Sequence, residues 1–182
     1  MQAERKIALT IIILLAISLL VLFGFLKPGI KKDNCAPKIE TRIIRGTSMQ
    51  PLFKEGAEVK IDFNYYNCKK PQTGEIVIYQ YSPDKNPIIK GIKGVAGDTI
   101  ELKPTADKWN IIINSQILRN SAGQEYAIDR KGYNLLSLYI KDYGNKIPTN
   151  SFLIMGDQAQ GTFDSSMLGL VGTQGLLGKV IK

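Results

Sequence analysis

The longest uncharged stretch of the sequence covers residues 7–26 and reads IALTIIILLAISLLVLFGFL. As an α-helix with a rise of 1.5 Å per residue, this stretch would be about 30 Å long, the thickness of a bilayer's hydrocarbon core. A cleaved secretory signal would have a shorter apolar stretch followed by small residues, whereas Phe23, Phe25 and Lys27 stand here. The stretch therefore predicts a retained transmembrane helix and contact with a lipid bilayer.

Basic residues flank the predicted span on both sides. Residues 1–6 form a short tail, and residues 27–40 form a linker that contains prolines and lysines but no periodic apolar pattern. More positive charges follow the span than precede it, so the flanking charges alone favour an amino terminus outside the cytoplasm. The remaining residues, 41–182, are enough for one domain of ordinary size.

Residues 41–182 consist of short apolar runs separated by turn residues. The runs are rich in Ile, Val and Tyr and bounded by Gly, Pro, Asn and Asp, as β-strands are. They read IETRIIRG, AEVKIDF, GEIVIYQY, PIIKGIKGV, DTIEL, WNIIIN, SFLIMGD and LLGKVIK. Residues 133–140 fit either a helical turn or another strand. We therefore predict a mainly β fold, an antiparallel sheet or barrel-like domain behind one amino-terminal transmembrane helix.

The composition excludes several classes of chemistry. The chain has 182 residues with no His and two Cys. Without imidazole there can be no Ser-His-Asp or Cys-His hydrolase and no His-ligated zinc, and two thiolates are too few for a four-cysteine metal site. The net charge of +8 comes from lysines scattered along the chain. This distribution indicates a solvated surface and predicts no nucleic-acid partner.

Ser48 lies in the segment GTSMQP, where a strand gives way to a turn. On its own, this pattern also fits a serine that caps a turn. To act as a nucleophile Ser48 needs a base, and without histidine the remaining candidate is a lysine that burial keeps neutral near pH 7. Lys90 is the best candidate, because an inward-facing ammonium in the strand-like run PIIKGIKGV would lose its hydration. The alternative is an edge-strand lysine that prevents sheets from pairing.

The motifs GTSMQP, IIKGIKGVAGD and IMGDQAQGTFDSSMLGLVG, in this order behind one span, resemble those of the type I signal peptidase family. Members of that family are membrane-anchored serine proteases that remove signal peptides from exported proteins. The resemblance covers nearly the whole chain and implies a signal peptidase I, a serine endopeptidase and thus a hydrolase. It implies Ser48 as the nucleophile that forms an acyl-enzyme and Lys90 as the general base. It implies no metal and no other cofactor.

The third motif would supply residues that support this dyad. Thr162 falls where the family has a serine whose hydroxyl contacts the lysine. Asp157 matches the aspartate of the family's Gly-Asp pair, and Asp164 with Ser165 matches its Asp-Ser pair.

The chain departs from the family pattern at three places that bear on the site. Ser166 stands where the family has an arginine paired with the aspartate, so Asp164 needs another partner, either Lys93 or a backbone donor. Gln158 replaces an asparagine. Many members have a serine two residues before the nucleophile, where this chain has Gly46, so a backbone amide would contribute more to the oxyanion hole.

The resemblance also implies the substrates, which are exported preproteins with small residues at the first and third positions before the cut. Ile44, Ile88 and Ile89 stand beside the two catalytic candidates in sequence and are candidates for the walls of the substrate pocket. They are equally good candidates for ordinary core residues.

The implied location is the cell membrane, with a single span, the tail 1–6 in the cytoplasm and the catalytic domain on the extracytoplasmic side. This orientation is opposite to the one that the flanking charges favour. An extracytoplasmic compartment permits disulfides, and Cys35 and Cys68 both lie in polar segments where a thiol would be exposed. A disulfide between them and two free thiols are the alternatives.

Three other interpretations share parts of this pattern. A self-cleaving repressor-type protease also uses a Ser/Lys pair, but such proteins begin with a DNA-binding domain and have no membrane span. A signal-peptidase-like protease of a conjugation system would process one dedicated partner such as a pilin, and the unusual third motif keeps this alternative open. An inactive membrane-anchored binding module would retain the fold alone, which the intact Ser48 and Lys90 disfavour.

Overall fold

The computed structural model describes residues 35–181. The predicted tail, the predicted span and most of the predicted linker lie outside these residues. Between residues 35 and 181, no helix has the length and apolarity that crossing a bilayer requires.

Eleven strands and three short or medium helices make up the described residues. In chain order the strands are β1 (Ile39–Ile43), β2 (Glu58–Asp62), β3 (Ile76–Tyr79), β4 (Ile88–Val95), β5 (Ile100–Pro104), β6 (Trp109–Ile113), β7 (Gln116–Ile117), β8 (Ala127–Ile128), β9 (Ser151–Met155), β10 (Val171–Gly172) and β11 (Leu176–Ile181). The helices are α1 (Tyr65–Cys68), α2 (Arg130–Asp142) and α3 (Ser165–Leu168), and a 3₁₀ turn covers Thr173–Gly175.

The strands form two antiparallel sheets. The larger sheet has seven strands in the order β1-β2-β11-β3-β4-β9-β10. The smaller sheet has four strands, with β6 paired to β5, β7 and β8. The predicted mainly antiparallel β domain is confirmed for the described residues.

The core consists of three apolar clusters. The first joins the small sheet, α2 and β9 around Ile111, Leu136 and Leu153. The second lies around the central strands of the large sheet, and the third lies beneath the turn that follows β1. Because β4 pairs with β3 on one side and with β9 on the other, the middle of β4 is enclosed by protein. The residues at the middle of this interior strand, 90–92, are buried.

Residues 133–140, which the sequence left open between helix and strand, belong to α2. The side chain of Asp129 accepts a hydrogen bond of 2.9 Å from the Gly132 amide and so caps the start of this helix. Leu136 is fully buried, while Leu138 is exposed. The helix therefore has one apolar side that packs against the small sheet and one side in solvent.

A disulfide joins Cys35 to Cys68, with 5.7 Å between their α-carbons. Cys68 is the last residue of α1, so the bond fixes the start of the described chain to the segment between β2 and β3. Of the two sequence alternatives for these cysteines, the structure has the disulfide.

Candidate active site

Ser48 lies in a turn that the end of β1 and the start of β2 hold in place. The Ile44 amide donates to the Ala57 carbonyl at 2.8 Å, and the Gly56 amide donates to the Ile44 carbonyl at 2.9 Å. Gly46 has a φ of 78°, a backbone conformation that favours glycine. The turn leaves the side chain of Ser48, the predicted nucleophile, half-buried.

Lys90 lies in β4 with only 2% of its surface exposed. Its Nζ is 2.8 Å from Ser48 Oγ and 2.9 Å from the Ile89 carbonyl oxygen. A distance of 2.8 Å is within the range over which a general base takes a proton from a hydroxyl. The structure thus brings together the two residues that the sequence singled out, which are 42 positions apart in the chain.

Burial lowers the pKa of Lys90 from 10.5 to about 8, because the surrounding protein disfavours the ammonium. The negative charge of Asp164 acts in the opposite direction and raises this pKa. The balance leaves a sizeable fraction of the side chain as the neutral amine in mildly alkaline solution. Only the neutral amine has the lone pair that accepts a proton.

Asp164 is a buried carboxylate that accepts four hydrogen bonds. The donors are the Gly156 amide at 2.9 Å, the Thr162 hydroxyl at 2.5 Å, and both the amide and the hydroxyl of Ser166, at 3.0 and 2.8 Å. Of the two partners that the sequence suggested, the backbone donors are present and Lys93 is not among the donors. Ser166 therefore supplies Asp164 with two hydrogen bonds in place of the missing arginine.

Thr162 does not bond directly to the lysine in this structure. Its hydroxyl donates to Asp164, while the amine of Lys90 bonds to Ser48 and Ile89. The family resemblance implied a direct contact between Thr162 and Lys90. Instead, Thr162 bonds to the Asp164 carboxylate, and the charge of that carboxylate raises the pKa of Lys90.

The third motif packs directly against the nucleophile turn at Gly156. A methyl group on Gly156 would lie 2.3 Å from Thr162 Oγ1 and 2.6 Å from the Ser48 carbonyl oxygen, which is closer than real contacts allow. The Gln158 amide also donates to that Ser48 carbonyl, at 3.2 Å. Only glycine fits this position, since the backbone of the nucleophile turn and the Thr162 side chain both approach it.

Asp157 is 2% exposed and joins two separate turns. Its carboxylate accepts from the Leu52 amide at 3.0 Å, just after the nucleophile turn, and from the amide of Ser121 at 3.0 Å. The Ser121 hydroxyl also donates to it. Sequence reasoning missed Ser121, because it lies in a polar turn of the small sheet that nothing in the sequence connects to the site.

Ser165 and Lys93 lie near the site without touching the dyad. Ser165 is fully buried, and its hydroxyl oxygen accepts a hydrogen bond of 2.9 Å from the Ile154 amide, which attaches α3 to β9. The Lys93 Nζ is 5.3 Å from the centre of the Tyr126 ring. Burial lowers the pKa of Lys93, and Asp157 opposes that effect.

A cleft of about 340 Å³ opens beside the dyad. Ser48 and Lys90 line it, together with Ile44, Ile88 and Ile89, the three residues proposed as pocket walls. Ile44 also packs in the third core cluster and is 2% exposed, so it lies both at the cleft and in the core. The remaining lining residues include Met49, Ile78, Phe63 and Pro87.

Within residues 35–181, no three Cys, Asp or Glu side chains lie close enough together to hold a metal ion. The groups around the nucleophile are the Ser48 hydroxyl, the buried Lys90 amine, and the Asp164 carboxylate with the Thr162 hydroxyl that donates to it.

The chain is similar to a family of peptidases over nearly all of its length. The model of the family described as "Signal peptidase, peptidase S26" matches residues 5–182. The probable signal peptidase I-2 of Synechocystis is 27% identical over an alignment of 147 residues that covers 77% of this chain and 60% of that protein. Signal peptidase IB of Staphylococcus aureus is 26% identical over an alignment of 150 residues that covers 75% of this chain and 73% of that protein. The match thus covers less than two thirds of the Synechocystis protein.

Among solved structures, the crystal structure of a signal peptidase I from Enterococcus faecalis matches with a TM-score of 0.43 and 22% sequence identity. The match covers 63% of this chain and 98% of that chain.

Proposed function

The chain belongs to the signal peptidase family, peptidase S26, and from this premise we propose that it is a signal peptidase I that cleaves exported preproteins with Ser48 and Lys90. The observation that carries the proposal is the distance of 2.8 Å between the buried Lys90 amine and the Ser48 hydroxyl. Enclosing a lysine in a β-sheet costs folding free energy, and buried groups whose basicity is shifted in this way are concentrated at functional sites.

The reaction follows from this geometry. Neutral Lys90 takes the proton of Ser48 as the Oγ attacks the scissile carbonyl, and the resulting ammonium gives a proton to the leaving amine. The signal peptide is then bound as an ester on Ser48. Lys90, neutral again, takes a proton from a water molecule that attacks the ester and releases the peptide.

The Ile89 carbonyl orients the amine during these steps. It accepts one N–H of Lys90 at 2.9 Å, which leaves the lone pair of the neutral amine free to accept the proton of Ser48. Asp164 and Thr162 act on Lys90 indirectly: the hydroxyl fixes the carboxylate, and the carboxylate's charge stabilises the ammonium that forms in each step.

The oxyanion of the tetrahedral intermediate needs hydrogen-bond donors. Gly46 has no side chain to donate one, so we assign the Ser48 amide to this role. Within residues 35–181, no hydrogen bond uses that amide. It is therefore available to a carbonyl bound beside Ser48 Oγ.

The substrates proposed are preproteins with small residues at the first and third positions before the cut. Ile44, Ile88 and Ile89 would form apolar walls for these small side chains in the cleft of about 340 Å³.

The membrane arrangement proposed places residues 7–26 as a helix across the cell membrane, 1–6 in the cytoplasm, 27–40 as a linker and 41–182 as an extracytoplasmic peptidase domain. The disulfide between Cys35 and Cys68 supports the extracytoplasmic side, since such bonds persist in oxidising compartments. Protease added to intact spheroplasts should digest the domain. Full protection until lysis would contradict this orientation.

The test of the activity is cleavage of a preprotein by the full chain in detergent, with the new amino terminus read by mass spectrometry. Ser48→Ala and Lys90→Ala should each abolish cleavage. Lys90→Arg should not restore it, because a guanidinium stays protonated.

Lys93→Ala is the matched control, since Lys93 is the second lysine of β4, is half-buried, and donates to the Arg119 carbonyl at 3.5 Å and not to Ser48. It should retain substantial activity. Loss of activity in folded Lys93→Ala, together with an active Lys90→Ala, would show that the base is wrongly assigned.

A further inference from the structure

A groove of about 640 Å³ lies next to the third motif and shares no lining residue with the cleft that holds Ser48 and Lys90. Thr162 and Ser166 form part of its wall, and both bond to Asp164. The groove is also close to the nucleophile turn. A methyl group placed on Gly156 would lie 2.3 Å from Thr162 Oγ1, in the groove wall, and 2.6 Å from the Ser48 carbonyl oxygen, so these two atoms are near each other. Thr162 therefore connects the groove to the backbone of the nucleophile turn.

The groove has an apolar floor and one apolar wall. Met155 and Ala159 are buried in the floor, while Phe163 and Met167 remain 39% and 48% exposed in the wall. These two belong to the few large apolar side chains that the described fold leaves open to solvent. Both line the same groove, which is typical of a surface that binds a chain.

The groove is also lined by basic residues. Lys108 is half-buried and Lys131 is exposed, and both line the groove. One acidic residue, Asp129, lines it as well, but its side chain caps α2 through the Gly132 amide. Two ammonium groups thus face one carboxylate that is already hydrogen-bonded.

We propose that this groove binds the segment of the substrate that follows the scissile bond, and that Lys108 and Lys131 favour acidic side chains in that segment. The inference rests on the proposed peptidase function. A bound substrate leaves the dyad in two directions. The isoleucine-lined cleft suits the small side chains before the cut, so the groove on the Thr162 side receives the residues after it.

The dimensions fit a short extended segment. An extended chain advances about 3.3 Å per residue, so the groove next to Thr162 is within a few residues of the bond that Ser48 attacks. Apolar residues of the segment would contact Phe163 and Met167. Aspartate or glutamate would pair with Lys108 and Lys131.

The test uses the full chain in detergent and one preprotein whose second to fourth residues after the cut are made either acidic or basic. The wild-type chain should cleave the acidic form with a higher kcat/KM, by about two- to fivefold for each exposed ion pair. The preference should decline as salt is raised, because salt screens exposed charges. The double variant Lys108→Glu/Lys131→Glu should reverse the preference.

The matched control is Lys60→Glu/Lys103→Glu, which makes the same change of charge at two exposed lysines outside both the cleft and the groove. It should keep the wild-type preference. Equal cleavage of both preproteins by the wild-type chain, or the same shift in both double variants, would overturn the assignment of the groove while leaving the peptidase function intact. Failure to cleave either preprotein would overturn the proposed function, and with it the role of the groove.

Discussion

Lys90 lies opposite Val77 in the register between β3 and β4, and both residues are enclosed, with 2% and 0% of their surfaces exposed. A lysine thus has an apolar residue as its neighbour on the adjacent strand, inside a sheet. Within the described residues, the amine contacts a hydroxyl and a carbonyl and forms no ion pair. Burial of the amine lowers the pKa of Lys90, and several measurable properties depend on this burial.

The first prediction concerns the pH dependence of cleavage. Since Lys90 accepts a proton only as the neutral amine, kcat/KM should rise with pH through its pKa of about 8 and stay high above it. The rate of cleavage of a peptide substrate between pH 5 and pH 10 measures this. A maximum near pH 5 would instead indicate a carboxylate base.

The second prediction concerns the cost of the buried amine. The pKa of Lys90 is lower in the folded chain than the ordinary 10.5, so folding opposes protonation and the cost is fully present below pH 8. One pKa unit corresponds to about 1.4 kcal/mol, which gives a cost of roughly 3 kcal/mol at pH 6. Lys90→Met should therefore raise the free energy of unfolding at pH 6.

The gain in Lys90→Met should shrink as the pH rises from 8 towards 10.5, where the wild-type lysine is neutral in both folded and unfolded chains. Urea unfolding of both chains at several pH values measures it. A gain that is independent of pH would show that Met improves the packing and that the buried amine carries no such cost.

The third prediction concerns Asp164. Its charge raises the pKa of Lys90, so Asp164→Asn should move the rising limb of the pH profile to lower pH. The variant should also cleave more slowly at every pH, because the amide cannot accept all four hydrogen bonds. Ser137→Ala, which removes a hydroxyl from an exposed part of α2, is the control and should leave the limb in place. An unmoved limb in folded Asp164→Asn would show that the carboxylate does not act on Lys90.

The fourth prediction compares two glycines. Gly156→Ala should abolish cleavage and destabilise the fold by about 1–3 kcal/mol, since the added methyl overlaps the Ser48 carbonyl and the Thr162 side chain. Gly91→Ala, next to Lys90, places its methyl at ordinary contact distances of 3.5 to 3.6 Å and should be tolerated. Thermal unfolding and cleavage assays of both variants test the contrast, and an active, stable Gly156→Ala would contradict the packing described here.

The fifth prediction concerns the bond between Cys35 and Cys68. In the chain-entropy model, closing a loop of this length stabilises the fold by roughly 3–4 kcal/mol. Thiol titration of denatured, unreduced protein should find no free thiol in the monomer. Cys35→Ser/Cys68→Ser should unfold at lower urea concentration, and two reactive thiols in the wild-type chain would disprove the bond.

The sequence predicts the β-rich fold from its short Ile-, Val- and Tyr-rich runs. It predicts the pairing of Ser48 with Lys90 because motif order and the absence of histidine leave lysine as the base. The sequence could not predict contacts between turns that are far apart in the chain and pack together only in the folded domain. Ser121 bonds to Asp157 across 36 positions, and a polar turn residue has no periodic signal. The sequence also could not predict the hydrogen bonds from Ser166 to Asp164. A serine in place of an arginine indicates only that an ion pair is lost, and the backbone geometry is needed to show that the serine bonds to the same carboxylate.

Helix α2 illustrates another limit. Its segment contains Gly132 and several aromatic and β-branched residues, which weaken the helical pattern. The helix is stabilised by its Asp129 cap and by packing of Leu136 against the small sheet, and the second of these is a tertiary contact that local periodicity does not report.

The disulfide encloses Ser48 within the loop that it closes, because Cys35 precedes the nucleophile and Cys68 follows it. A protease that cuts the backbone once anywhere between these two cysteines therefore produces two fragments that remain covalently joined. On a reducing gel the nicked chain would separate into two bands, while on a non-reducing gel it would run as one. Damage to this loop thus leaves the nucleophile attached to the residues on both sides of the cut.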